Sequence, residues 1–207
     1  MRIIIPMALL LALAAPALAG GPPPADQDWP CKQRRTGAIS RAAIWAGPAA
    51  QGRWDDDSEA AALAHKLASR RTPIEEVAPL VDAFAQKAGG DKDRRLTLVF
   101  EGTLDLINEE RDKVLAGIAR YARGQRALAA KVSADAEKAA DAQEKQGDQG
   151  VDQGVLAPET LEKANPELKW DKRIFNDRAQ ALTYVCESPV FLEQRAFAIA
   201  QAIQEKL

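Results

Sequence analysis

The chain has 207 residues, 46% hydrophobic, 28% charged and only 5% aromatic, so it suits one or two ordinary cores built mostly of Ala and Leu. Its formal net charge of −2 offers no cation excess to neutralise a phosphate backbone, which argues against nucleic acid as a partner. With one histidine, His65, and two cysteines, neither a Cys/His zinc site nor a haem held through C-x-x-C-H can be written.

Residues 1–19 have the pattern of a signal peptide. Arg2 supplies the positive start, residues 3–13 the apolar stretch, and Ala17-Leu18-Ala19 the small residues that signal peptidase reads. Cleavage near Ala19 is expected, with the product periplasmic or secreted. The apolar stretch is too short to span a bilayer, and no later one approaches about 20 apolar residues, so the mature chain is expected to carry no transmembrane span. In an oxidising compartment Cys31 and Cys186 are most simply one disulfide, since they lack the C-x-x-C spacing of a reactive pair.

Residues 20–28, with Gly-Gly-Pro-Pro-Pro, form a flexible lead-in, and residues 29–207 are expected to make a single helical domain. Within it, residues 29–57 hold Trp29, Trp45 and Trp54 among scattered Gly and Pro. They predict an irregular wrap whose rings dock onto helices, with stacking on a flat ligand as the alternative. Residues 58–88 predict two short helices, the first opened by Asp55-Asp56-Asp57 and closed by Arg70-Arg71. Thr72-Pro73-Ile74-Glu75 spells a capping box for the second, Pro79 should bend it, and Gly89-Gly90 should stop it.

Residues 91–145 step by three and four through Leu96, Val99, Thr103 and Leu106, then, beyond a polar interval, through Val114, Ile118, Tyr121, Gln125, Leu128 and Val132. Residues 146–154 repeat a Gly-Asp/Gln phrase that predicts a turn. Residues 159–207 restart the series, with Asn165-Pro166 able to cap, and Pro189 leaves open a kinked helix or two abutting ones. Two such rods bury their stripes most directly as a long antiparallel, coiled-coil-like helical hairpin, although homodimerisation through the same seam competes. The fold class is therefore all-α, with the two short helices and the Trp-rich segment packed on the hairpin base. That base is expected to gather Leu96, Phe100, Leu106, Phe191, Phe197 and Ile199, while the Ala-rich tip near residues 129–142 should be the weaker end.

None of the common phosphate-loop, nucleophile-elbow or zinc-protease motifs occurs. His65 has no spaced partner of its own type and is expected at the surface. Glu101, Asp105, Glu109 and Glu110 are expected to be solvated charge. No catalytic residue, metal ligand or cofactor is predicted. Arg120, Arg123 and Arg126 form a basic strip that could meet an anionic partner or set helix register.

Asp28-Trp29-Pro30-Cys31, Ile44-Trp45-Ala46-Gly47-Pro48 and Tyr184-Val185-Cys186-Glu187-Ser188-Pro189 together resemble signatures of a family of exported bacterial helical proteins with no assigned activity. The resemblance covers nearly the whole mature chain. It implies a shared helical fold with two fixed cysteines and transfers no activity. The functional expectation is a non-enzymatic periplasmic interaction or scaffold protein that meets another periplasmic protein. The alternative is a small-ligand-binding bundle using Trp29, Trp45 and Trp54.

Overall fold

A computed structural model describes residues 29–147 and 165–207. The expectations for the leader, the lead-in, most of the Gly-Asp/Gln turn and residues 159–164 lie outside them. The described residues contain no strand. They form α1 (Arg41–Ile44), α2 (Ser58–Ala68), α3 (Val77–Ala88), α4 (Lys92–Gly147) and α5 (Pro166–Gln204), with 3₁₀ turns at Trp54–Asp56, Ile74–Glu76 and Gly89–Asp91.

The long helices form an antiparallel hairpin. Lys92 near the start of α4 donates to the Lys206 carbonyl just beyond α5 (2.7 Å), and Gln125 donates to Phe175 (2.6 Å). Farther along, Lys131 pairs with Glu167 (3.1 Å) near the start of α5. α4 runs for 56 residues, about 84 Å at ~1.5 Å per residue. α5 begins as its sequence specifies: the Asn165 side chain accepts from the Leu168 amide (3.1 Å), and Pro166 occupies the first turn, where its missing N–H costs nothing. Pro189 lies inside one continuous helix rather than between two.

The core sits at the base. Leu96, Val99, Phe100, Leu104 and Ile107 of α4 meet Leu192, Ala196, Ile199 and Ile203 of α5, with Leu63 and Leu67 of α2 and Val77, Val81 and Phe84 of α3 closing the cluster. Three expectations about it are corrected. Phe191 and Phe197 are 58% and 47% exposed, because each lies one or two residues off the stripe that Leu192, Ala196 and Ile199 turn inward. Leu106 is only half-buried, its place being taken by Leu104 and Ile107.

The short helices show two further differences. Thr72 does not open α3; its buried hydroxyl donates back to the Lys66 carbonyl (2.7 Å), so it closes α2, and the chain enters α3 through a 3₁₀ turn without a side-chain cap. Pro79 falls in the first turn of α3, where an amide has no partner within the helix, so it removes no helical hydrogen bond. Asp57 does cap α2, accepting from the Ala60 amide (3.0 Å), and Gly89 ends α3 with φ +58°.

Glycines along α4 separate close approach from plain propensity. A Cβ on Gly102 would stand 2.7 Å from the Trp54 ring and 3.0 Å from the Ala64 Cβ, whereas one on Gly124 would meet nothing within 4 Å. Gly124→Ala should therefore raise stability by about 0.5–1 kcal/mol through helix propensity. Gly102→Ala should lower it by about 1–3 kcal/mol despite the same propensity gain, because the ring must move. Denaturant melts of the two variants check both signs.

Candidate functional site

The Trp-rich segment is fastened to the base one group at a time. Trp45 is buried and stacks on Phe100 (centroids 3.9 Å apart, planes at 7°), while its indole N–H donates to the Pro48 carbonyl (2.9 Å). Trp54 packs on Gly102 and donates to Asp105 (3.0 Å). Ile39 and Asn108 exchange two hydrogen bonds, at 2.8 and 3.2 Å, much as neighbouring strands would. Arg41 forms an ion pair with Glu101 at 2.8 Å. Burial pushes the Glu101 carboxyl above its ordinary range, with Arg41 opposing. Glu101 is thus a half-buried partner of the wrap, while Asp105 accepts from Trp54 and stays exposed as expected.

Cys31 and Cys186 are joined, with Cα atoms 5.5 Å apart across a sequence separation of 155. Beside the bond lies a cavity of about 160 Å³, lined in part by Trp29, Arg34, Arg111, Pro189 and Glu193. Trp29 is half-buried and donates to the Gln33 carbonyl (2.6 Å).

Arg111 is the group the sequence concealed. It stands in the polar interval of α4 yet is only 2% exposed. Its guanidinium donates to Glu193 of α5 (2.5 Å), to the Thr36 hydroxyl (2.6 Å), and to the carbonyls of Thr36 (3.1 Å) and Gly37. A buried cation is tolerable only with such partners, and the planar fork of Arg reaches all of them at once. An Arg inside an acidic run, Glu109-Glu110-Arg111-Asp112, carries no pattern that separates a buried cation from a solvated one.

A second charged cluster joins α2 to α4. Arg95 grips Asp57 through two nitrogens (2.7 and 2.9 Å) and reaches Glu59 (2.8 Å). The Arg95 hydrogen bonds hold the Asp57 carboxyl well below the usual carboxylate range against the opposing cost of burial. Its contribution to stability is full above the ordinary carboxylate pKa and is lost as pH falls below it.

The structure does not gather the predicted interaction residues into one place. Trp45 belongs wholly to the core, and Trp29 and Trp54 hold opposite ends of the wrap. Arg120, Arg123 and Arg126 are exposed along α4. His65 is exposed too, with Trp54 edge-on at 5.9 Å. It borders an open trough of about 620 Å³ with Ser69, Arg70, Arg71 and Glu110. Among the described residues no group of three or more His, Cys, Asp or Glu is placed to hold a metal ion, and no helix is long and apolar enough to cross a membrane. No protein-family model, curated protein or solved structure matches the chain.

Replacing the Arg111 fork should be costly. Arg111→Met is expected to lower stability by about 2–3 kcal/mol, because the charge-assisted hydrogen bonds to Glu193, the Thr36 hydroxyl and the Thr36 and Gly37 carbonyls are lost together, although water can reach the exposed Thr36–Gly37 stretch. Glu193→Gln keeps an acceptor oxygen in reach but removes the counter-charge of a guanidinium only 2% exposed; with the carboxylate itself 42% exposed, it should cost about 1–2 kcal/mol, less than Arg111→Met. Equal losses in urea melts would contradict the asymmetry.

Proposed function

We propose that the chain is an exported, non-enzymatic scaffold whose paired helices present a stalk to another protein in the periplasm. The leader pattern of residues 1–19 and the Cys31–Cys186 bond support export to an oxidising compartment. The observation that carries the scaffold role is the stalk itself. Beyond Leu115 of α4 the hydrogen bonds of Tyr121, Gln125 and Lys131 run to α5, whereas the short helices and the wrap pack on the base. From residue 116 α4 runs 32 residues to Gly147, about 48 Å, and α5 accompanies it from Pro166, which lies just beyond the level of Lys131. Two helices bury only one stripe each, so most of that length is surface. It includes the large exposed rings of Trp170 and Tyr184, whose presence on a solvated rod suits a protein contact.

The ligand-binding alternative draws on the Trp29 cavity. Its volume of about 160 Å³ is below the roughly 300–1,000 Å³ of ordinary ligand pockets. The larger space beside Trp54, about 510 Å³, is an open trough walled by Arg53, Asp55, Glu101 and Asp105 rather than an enclosed apolar cavity, which favours the scaffold. Affinity capture from periplasmic extract, with the intact protein and with a variant trimmed across residues 135–160, tests the choice. The expected result is a specific partner retained by the intact chain and lost on trimming. Saturable quenching of tryptophan fluorescence by a small metabolite, with no protein captured, would favour the alternative.

A further inference from the structure

α5 carries a second stripe, turned away from α4. Trp170, Asp177, Tyr184 and Phe191 recur every seven residues, with Arg173, Gln180, Glu187 and Gln194 three residues after each. All eight side chains are exposed. That is the three-four spacing of a coiled-coil seam, and its seven-residue repeat follows the same supercoil that winds α5 onto α4. The three rings are 60%, 76% and 58% exposed, and apart from Phe197 the other exposed positions of the helix are polar or small. Charges on the stripe are unspent. Arg173 and Asp177 approach only to 4.0 Å, and Glu187 has no ion pair or hydrogen bond among the described residues.

We propose that this stripe is the seat of a second copy of the chain, with the two α5 helices antiparallel and the two-fold axis passing between Arg178 and Ala179. The charge order fits that arrangement, which engages all three rings; a slip of one heptad toward the amino end would pair Arg173 with Asp177 but leave Tyr184 and Phe191 uncovered. Turning the stripe end for end about this point sets Arg173 of one copy against the Tyr184 ring of the other, with Glu187 of that copy one turn away. A cation–π contact and an ion pair then form twice, once on each side of the axis. Trp170 meets Glu187 and rests between Tyr184 and Phe191 of the other copy. Asp177 faces Gln180, with the Tyr184 hydroxyl within a turn as a donor. Sliding the register by one heptad toward the carboxyl end sets Asp177 directly against Glu187, a repulsion that disfavours it. Trp and Tyr anchors near the middle of the contact are the residue types that dominate binding energy in interfaces. The pairing leaves the α4–α5 seam intact, so it is distinct from a dimer in which copies exchange that seam. It draws on the Trp170 and Tyr184 rings that also support the scaffold reading, and the two are told apart because self-association is measured without any other protein.

Sedimentation velocity on the oxidised full mature chain tests this at about 100 μM, a concentration that populates any interface of micromolar Kd. The wild type is expected to be dimeric. Arg173→Glu and Glu187→Arg, both at exposed positions, should each weaken the dimer at least tenfold, and the two together should restore it, since the swapped pair has the same complementarity. Spin labels on Gln180 should lie within about 20 Å of each other across the dimer, and labels on Gln194 about 45 Å apart, as antiparallel helices require. A monomer at this concentration, a dimer that neither single substitution weakens, a double variant that fails to recover, or short distances at both labels would overturn the proposal.

Discussion

One guanidinium joins three parts of the chain that are remote in sequence. Arg111 of α4 enters the interior only because Glu193 of α5 and the Thr36–Gly37 stretch of the wrap supply acceptors for it. Withdrawing a cation from water without partners would cost far more than a domain has to spare. The knot therefore makes the hairpin and the wrap conditional on each other. α5 must lie back along α4 to bring Glu193 into reach, and the segment from Trp29 to Ile39 must cross both helices to present its carbonyls. The Cys31–Cys186 bond closes the same junction covalently, a few residues from Thr36 and two turns from Glu193. In the unfolded chain a loop of this length carries large entropy, so the bond favours the folded form by up to roughly 5 kcal/mol in the chain-entropy picture.

The hairpin is held by different chemistry at its two ends. At the base, aliphatic and aromatic side chains from four helices share one cluster, and polar groups seat the wrap and α2 on it: Asn108 on Ile39, Gln204 on the Ala46 amide, and Arg195 on the Leu67 carbonyl at the end of α2. Along the stalk the seam narrows to Ile118, Ala122, Gln125 and Leu168, supplemented by Lys131 with Asp135, Glu167 and Asp171. Exposed ion pairs of that kind stabilise weakly. Close packing and solvated surface are thus separated along one rod.

Much of this was legible from the residues. The three-four stepping of apolar side chains located both rods, Asn165-Pro166 marked the start of α5, Asp57 the start of α2, and Gly89 the end of α3, because caps and stripes are local properties. The cysteine pairing followed from having only two. What failed depended on tertiary choice. Thr72 could cap forward or close backward, and packing chose the latter. Phe191 and Phe197 looked like core by hydrophobicity alone, yet register assigned the interior to Leu192 and Ala196. Arg111 was invisible for the converse reason: its burial is created by carbonyls more than seventy positions away. Trp45 and Trp54 dock onto α4 as expected, Trp29 bonds within its own segment, and these separate commitments to Phe100, Asp105 and Gln33 are why the three make a poor common binding surface.

The account rests on α5 folding back along α4 within one molecule. Paired spin labels at Asp112 and Gln194, on the oxidised chain diluted with unlabelled protein, measure this directly. Helices packed about 8–10 Å apart should give an interlabel distance under about 30 Å. A distance beyond about 60 Å, as in rods that extend away from each other or exchange between copies, would contradict it.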